Sequence, residues 1–421
     1  MTSLGPVAYV GKLTYLELDP PISVGGFGSL EEVTTVGATS TKAITLTNTG
    51  ISLAVAGDIS IFDAGKKLEF GSEIIIDTIS GTDGIRVGFE AGLNTHGNEA
   101  IAVGTSAGRT SQGVRSVAIG TEAGFTGQST FSVAIGFGSG RSGQQDRAVA
   151  IGSNAGRTDQ KSTAVAIGNN CGRDLQGSDS VAIGTDSGNN NQGDSSVAIG
   201  DTAGNVSQAA DAVAIGNHAG QTGQLLAAIA IGFESGSTGQ GISSVAIGTN
   251  AGRNGQLGSA VAIGNNTGKD NQEIDAVAIG NDAGRTSQQS AAVAVGSSSG
   301  RNNQGVDAIS IGTNAGRETQ EIDCVAIGTN SGRTNQKNAA VAIGNNSGFL
   351  NQGSASIAIG AGAGYSGQGT NSICLNATGV NLNASTGSAL FINPIRRVDN
   401  GSGVGNIYYL PASFEVVYSG T

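Results

Sequence analysis

A repeat of sixteen residues is the feature that most constrains the fold of this chain. The glycine that ends each VAIG-like segment recurs every sixteen residues from Gly88 to Gly360, in eighteen copies without insertion or deletion. A second glycine follows four residues later each time, and a glutamine follows eight residues later in seventeen copies, the first copy having His96 instead. Self-similarity at one fixed period predicts a solenoid in which each copy is one coil.

Each copy has the pattern of a short strand, a turn and a second strand. The VAIG segment alternates aliphatic and small residues, which is the period of a strand. Small and polar residues after it suit a turn, and the polar segment that ends at the glutamine is the predicted second strand. All five prolines lie outside the repeats, as expected where stacked coils need every backbone N–H. The pattern predicts an all-β fold: a parallel β-roll of eighteen coils over residues 84–376.

The alternation leaves two faces of the strand to assign. We predict that Val245, Ile247 and their equivalents fill the roll, and that Ala246 and its equivalents form a smooth face that another chain or packed strand can approach closely. So thin a roll buries little apolar area against the backbone entropy that each coil loses. We therefore predict that identical chains pack together, most simply as a homotrimer.

The glutamine column places one amide at the same position of successive coils. Amides stacked about 4.8 Å apart can hydrogen-bond along the stack, as in steric zippers, and the alternative is a polar track for a ligand or ions. Gln256 represents this column, and Gly248 and Gly252, which can adopt positive φ, are the other predicted structural positions of its coil.

Charged residues also fall into columns. Aspartates just before several strands are expected to balance the basic column, so the pattern predicts a solvated, charge-balanced surface, with a groove for acidic glycans as the alternative. The basic residues follow the second glycine and are Arg109, Arg141, Arg157, Arg173, Arg253, Lys269, Arg285, Arg301, Arg317 and Arg333. The aspartates are Asp179, Asp211, Asp275, Asp307 and Asp323.

Composition excludes several functions. The net charge of -11 makes nucleic acid a poor partner, no apolar run is long enough to cross a bilayer, and the N-terminus has no pattern of a secretory signal. His96 and His218 lie in distant coils, and the three cysteines are widely spaced. We therefore predict that the cysteines are small buried thiols and that the chain has no metal site. We also predict no cofactor and no enzymatic activity. A glycan-degrading tailspike would need paired carboxylates in a cleft, and an ice-binding solenoid a uniform threonine column; the uninterrupted, mixed repeats favour neither.

The run SVAIGTNAG at residues 244–252 resembles the head repeats of trimeric autotransporter adhesins. It is also similar to repeats in tail-fibre and surface-fibre proteins of bacteriophages and giant DNA viruses, a resemblance that spans roughly residues 36–418. The resemblance implies a left-handed β-roll in a homotrimer, and a non-enzymatic fibre or spike on a virion surface or tail that attaches to a host glycan or protein receptor. A cell-surface adhesin or a self-assembling extracellular filament is the alternative.

The segments outside the repeats complete the predicted organisation. Residues 1–35 are predicted to attach the chain to a larger particle, residues 36–83 to form a β-rich collar, and residues 377–421 to form a C-terminal cap or tip. The tip concentrates aromatic residues, which are candidates for receptor binding. These are Phe391, Tyr408, Tyr409, Phe414 and Tyr418.

Overall fold

A computed structural model describes residues 67–70, 74–78, 84–395, 406–410 and 415–419 of the chain. Every regular element in these ranges is a β-strand. The predicted attachment segment 1–35 and most of the collar 36–83 lie outside the described residues.

The VAIG segments form one long sheet, here called the VAI sheet, in which successive strands are parallel and in register. Two antiparallel strands, Lys67–Phe70 and Ile74–Thr78, precede the parallel ones. The parallel strands are Ile85–Val87, Ile101–Val103, Val117–Ile119, Val133–Ile135, Val149–Ile151, Val165–Ile167, Val181–Ile183, Val197–Ile199, Val213–Ile215, Ile229–Ile231, Val245–Ile247, Val261–Ile263, Val277–Ile279, Val293–Val295, Ile309–Ile311, Val325–Ile327, Val341–Ile343, Ile357–Ile359, Ile373–Asn376 and Leu390–Asn393.

The segments that end at the glutamines form a second parallel ladder, here called the Gln sheet. At Ser142, Thr158, Thr222, Thr238 and Ser366 the second strand is reduced to isolated bridges that join the longer stretches. The strands are Asn94–His96, Thr110–Gln112, Thr126–Gln128, Asp174–Gln176, Asn190–Gln192, Val206–Gln208, Asn254–Gln256, Asp270–Gln272, Thr286–Gln288, Asn302–Gln304, Glu318–Gln320, Thr334–Gln336 and Leu350–Gln352.

The predicted parallel β-solenoid is therefore confirmed, with about nineteen coils, because Ile373–Asn376 adds a further rung after the eighteenth repeat. Each coil donates backbone hydrogen bonds in both directions: the N–H of Val245 to Ala260 O at 2.9 Å, and the N–H of Gly248 to Ile231 O at 2.7 Å. At roughly 4.8 Å per rung, the array is on the order of 90 Å long.

The interior of each coil is filled by small side chains and one glutamine, which corrects the predicted facing. Ala246 and Gln256 are fully buried, whereas Val245 and Ile247 lie on the outer face of the VAI sheet and are partly exposed. The same order, with the middle residue buried and its neighbours outside, holds in every VAI strand from residue 101 to residue 359.

The close approach of the two strands explains this facing. The Gln256 side chain crosses the whole interior, and its Nε2 donates to Val245 O at 2.9 Å. A Cβ added at Gly252 would lie 2.6 Å from Gln256 Oε1 and 3.1 Å from the Ala246 Cβ. Such an interior has no room for valine or isoleucine. An Ala246→Leu substitution should therefore disturb the coil itself, and not the assembly alone.

The first glycine of each repeat is required by the backbone. Gly248 has a φ of +122°, and a Cβ there would lie 2.4 Å from Gly264 O in the next coil. Because neither the backbone angle nor the neighbouring carbonyl can accommodate a side chain, this column admits only glycine.

A Gly248→Ala substitution is expected to destabilise the protein by about 3 kcal/mol or more, since it combines backbone strain with a clash against backbone. Gly239→Ala is the matched control: its φ is +65°, and a Cβ there would meet nothing within 4 Å. The control should cost only about 1–2 kcal/mol, the strain of a left-handed residue. Thermal unfolding followed by circular dichroism measures both, and equal losses would contradict the argument.

The two ends of the array depart from the repeat pattern. At the first coil, strand Ile74–Thr78 pairs antiparallel with Ile85–Val87 and covers the open edge. At the last rung, Phe391 occupies the register position of the interior alanines and packs against the buried cluster of Ala358 and Cys374.

Candidate functional site

The outer face of the VAI sheet carries an unbroken stripe of aliphatic side chains. The seventeen strands from Ile101–Val103 to Ile357–Ile359 all have Val or Ile at their first and third positions, and adjacent strands stack in register. Third-position residues that are 36–41% exposed are Ile119, Ile167, Ile183, Ile215, Ile263, Ile279, Ile311, Ile343 and Ile359. We call these two columns the apolar stripe.

The apolar stripe is unusual for an isolated chain. Soluble monomers seldom expose a contiguous apolar patch larger than roughly a few hundred Å², and this one contains thirty-four aliphatic side chains along the full repeat array. Exposed apolar surfaces of this size are typical of sites that contact another protein or a membrane, or that bind a ligand. The stripe lies on the face opposite to the one that we assigned to packing between chains.

The predicted glutamine ladder is confirmed. The Nε2 of each of twelve glutamines donates to the Oε1 of the glutamine sixteen residues later, at 2.9–3.3 Å. The same nitrogens donate to backbone carbonyls, so each of these amides is bonded both to its neighbour and to the roll. All seventeen glutamines of the column are at most 3% exposed, which excludes a track open to ligand.

The twelve bonds leave gaps in the ladder, and the gap between Gln304 and Gln320 has a visible cause. Ser310 replaces alanine in the interior column, and its hydroxyl donates to Gln320 Oε1 at 2.7 Å. Gln304 donates instead to the carbonyls of Val293 and Ala308. The Ser310 hydroxyl therefore donates to Gln320 Oε1 in place of the Gln304 amide, which is the donor expected from the other coils.

Six of the ten basic residues in this column form ion pairs, and their acids are not those predicted. Glutamates of the preceding coil form the shortest of them, in the pairs Arg109–Glu90, Arg141–Glu122 and Arg253–Glu234, with N–O distances of 2.9–3.0 Å. The five predicted aspartates stand before the VAI strands, at the opposite edge of the roll, and are not partners in the ion pairs described for this column.

Aromatic rings occupy two gaps in the same basic column. Phe125 lies between Arg109 and Arg141, with the guanidinium carbons 5.4 and 5.3 Å from its centroid. Phe349 stacks on Tyr365 with centroids 5.0 Å apart. Guanidinium groups engaged by carboxylates and rings favour a structural surface over a groove for acidic glycans.

A second amide ladder was missed by the sequence analysis. Two residues after the first glycine, the backbone adopts φ near +55°, where asparagine is favoured. Asn250 donates to Asn266 at 3.1 Å, Asn314 to Asn330 at 3.2 Å and Asn330 to Asn346 at 3.1 Å. The recurrence of asparagine at this position was the available signal.

The three cysteines are buried thiols, as predicted. Cys171, Cys324 and Cys374 are 0% exposed and free. Burial raises the pKa of Cys171 to about 12 and that of Cys324 to about 11, and it also raises the pKa of Cys374.

These thiols should react slowly in the folded protein. At pH 8 each is protonated and covered, so a thiol reagent such as dithionitrobenzoate is expected to modify none of them before denaturant is added and all three afterwards. Denatured protein in the same buffer is the control. Stoichiometric release of thionitrobenzoate within minutes from the folded chain would contradict the burial.

The candidate tip aromatics are placed only in part. Phe391 is half-buried against the end of the core, a capping position. Tyr408 and Tyr409 lie on strand Asn406–Leu410, which pairs antiparallel with Glu415–Ser419, the strand that contains Tyr418. Phe414 lies outside the described residues. Receptor binding by this set stays a prediction.

The two histidines and the acidic residues do not come together as a metal site in the part of the chain that the structure describes. His96 and His218 stand in coils eight repeats apart along the array. The described residues include no group of three or more His, Cys, Asp or Glu that could hold a metal ion. They also include no helix with the length and hydropathy of a membrane-spanning segment.

Comparisons with known proteins add no relative: no protein-family model, curated protein or solved structure matches this chain. Fold and surface chemistry therefore carry the functional argument.

Proposed function

We propose that the chain assembles as a homotrimer, with its three VAI sheets facing a common axis, and works as a non-enzymatic fibre or spike. The apolar stripe is the observation that carries this proposal. Each aliphatic side chain that passes from partly exposed to buried contributes on the order of 1 kcal/mol. Thirty-four of them in each chain make association far more favourable than the exposed state.

We propose association between chains, as the sequence analysis did, but through a different face of the VAI sheet. Alanine columns were expected to meet between chains, and the alanines lie inside the roll. Val and Ile columns take their place, with a flat parallel sheet behind them. The resemblance to adhesin head repeats supports three chains and a left-handed roll.

Sedimentation equilibrium of the full chain at micromolar concentration tests the trimer. The expected mass is three times the 41.4 kDa of one chain, and heating should show cooperative loss of mass and β-signal together. A stable, folded monomer would contradict the proposal.

A fibre explains why the array is uninterrupted. A rod of stacked coils places its two ends far apart, which suits a spacer between a particle and a target. Following the resemblance to viral fibres, we propose a virion surface or tail as its place, with residues 1–35 attached to the particle and residues 377–421 outermost, contacting a host glycan or protein receptor.

Immunogold electron microscopy tests the location and polarity. Antibodies against residues 1–35 and against residues 406–419 are applied to native particles and to cells of the source. Gold from the second antibody should lie farther from the particle body than gold from the first. The reverse order would overturn the polarity, and label on uninfected cells would favour the alternative, a cell-surface adhesin or extracellular filament.

A further inference from the structure

Phenylalanine stands at one edge of the VAI sheet in three of the eighteen repeats. At the strand-end edge, two residues after the strand, stand Phe89, Phe137 and Phe233, which are 54%, 56% and 49% exposed. The other repeats have Thr, Asn, Ser, Asp or Ala at that position. Phe233 makes an edge-on contact with His218 of the preceding coil, with the ring centroids 6.4 Å apart, and all three phenylalanine rings still remain about half exposed.

The same strands carry apolar side chains at their opposite edge. Phe131 stands two residues before strand Val133–Ile135 and is 44% exposed, and Phe137 follows that strand. Leu225 and Leu226 precede strand Ile229–Ile231, both 47% exposed, and Phe233 follows it. The residues just before the strand that Phe89 follows lie outside the described part of the chain.

A threefold arrangement brings these two edges together. If three VAI sheets face one axis, they form the sides of a triangular prism, and the strand-end edge of each chain meets the strand-start edge of the next at the same height. Such a contact is heterologous and closes after three copies. This inference rests on the proposed trimer.

We propose that Phe137 of one copy packs against Phe131 of the next, and that Phe233 packs against Leu225 and Leu226, and that these contacts fix the axial register of the trimer. The apolar stripe repeats every coil, so it matches a neighbour equally well after a slip of whole rungs. The strand-end phenylalanines stand in three coils only, so both Phe137 and Phe233 meet apolar partners in a single register.

A trimer slipped by one rung loses at least one of these two contacts. A slip in one direction moves Phe233 to the edge before strand Val213–Ile215, where Ala210 and Asp211 stand. A slip in the other direction brings Phe233 beside the exposed Ile242 but moves Phe137 to the edge where Asp146 and Arg147 stand. An exposed phenylalanine beside a carboxylate gains little of what burial against leucine gives. The in-register trimer is therefore the favoured one.

Cysteine cross-linking in the full chain tests the register. In the double variant Phe131→Cys with Phe137→Cys, a short bis-maleimide should convert nearly all protein to a covalent trimer on a denaturing gel. Each single variant should remain uncross-linked, because the contact joins different residues. The native cysteines are fully buried, so the parent should not react.

A mismatched pair controls for mere proximity of chains. Phe137→Cys with Leu226→Cys places the thiols six rungs apart, roughly 29 Å, and should give no covalent trimer. If the parent sediments as a trimer while only the mismatched pair cross-links, or neither pair does, the register is wrong and the trimer stands. Cross-linked dimers from a single variant would show a twofold contact and overturn the inference. A monomeric parent would overturn the trimer and the register together.

Discussion

The triple variant Ile263→Asp, Ile279→Asp and Val295→Asp is expected to be a folded monomer at micromolar concentration. The three residues stand at the third strand position in adjacent coils of the apolar stripe. In a trimer they would place nine carboxylates around the axis, and each unpaired charge removed from water costs several kcal/mol. In the separated chain they face solvent, so the coils themselves should remain intact. Sedimentation gives the mass, and circular dichroism the fold.

The matched control adds the same charge to the same three coils. Asn271→Asp, Ser287→Asp and Asn303→Asp lie on the outer side of the Gln sheet, in positions where aspartate tolerates the positive φ. This variant should remain trimeric. Trimers from both variants would show that the apolar stripe is not the interface, and monomers from both would attribute the effect to charge alone.

The substitution Gln288→Glu is expected to destabilise the array at neutral pH by about 3–5 kcal/mol, although it changes a single side-chain group. Gln288 is fully buried, and its Nε2 donates to Val277 O at 2.9 Å, Ala292 O at 3.0 Å and Gln304 Oε1 at 3.1 Å. In the variant, a carboxylate oxygen would replace this nitrogen and would face three oxygen acceptors without a proton to donate, which is repulsive. The melting temperature at pH 7 measures the loss.

The loss should shrink in acid. Burial and facing acceptors favour the protonated carboxyl, so its pKa in the folded state is raised above the ordinary value of about 4.3. Protons then bind the folded state more tightly, and the penalty, full above the folded pKa, falls as pH drops toward the unfolded value. The adjacent, exposed Gln289→Glu is the control at every pH. An equal penalty at pH 7 and pH 4.5, relative to that control, would contradict the ladder geometry.

Much of the architecture follows from the spacing of residues along the chain. A strict sixteen-residue period defines the coil, strand alternation within VAIG gives the first sheet, and the glutamine column gives the ladder. Asn also recurs at the position of Asn250, which is consistent with a second amide ladder. The sequence analysis did not predict this ladder, because the left-handed backbone conformation at that position is known only from the structure. The buried cysteines followed from their isolation in the sequence.

The contacts of the charged side chains could not all be predicted from the spacing of residues along the chain. The basic column was visible in the sequence, and three of its acidic partners are near neighbours along the chain. The partners in its shortest ion pairs, Glu90, Glu122 and Glu234, belong to the preceding coil and come close only because the chain turns at that edge. The aspartates nearest to the strands in sequence lie across the roll. Separation along the sequence therefore did not indicate which acidic residues lie at the same edge of the roll as the basic column.

The sequence by itself determined that this chain is a β-solenoid with identical rungs and one glutamine in nearly every rung. Only the tertiary structure decided which side of each strand is inside. An alternating strand has two faces, and hydrophobicity favoured Val and Ile for the interior, whereas the observed interior holds Ala246 and Gln256. Because one glutamine side chain spans the gap between the two strands, the space beside it fits only a small side chain, which is alanine in nearly every coil. The larger aliphatic residues are therefore left outside, where they form the apolar stripe.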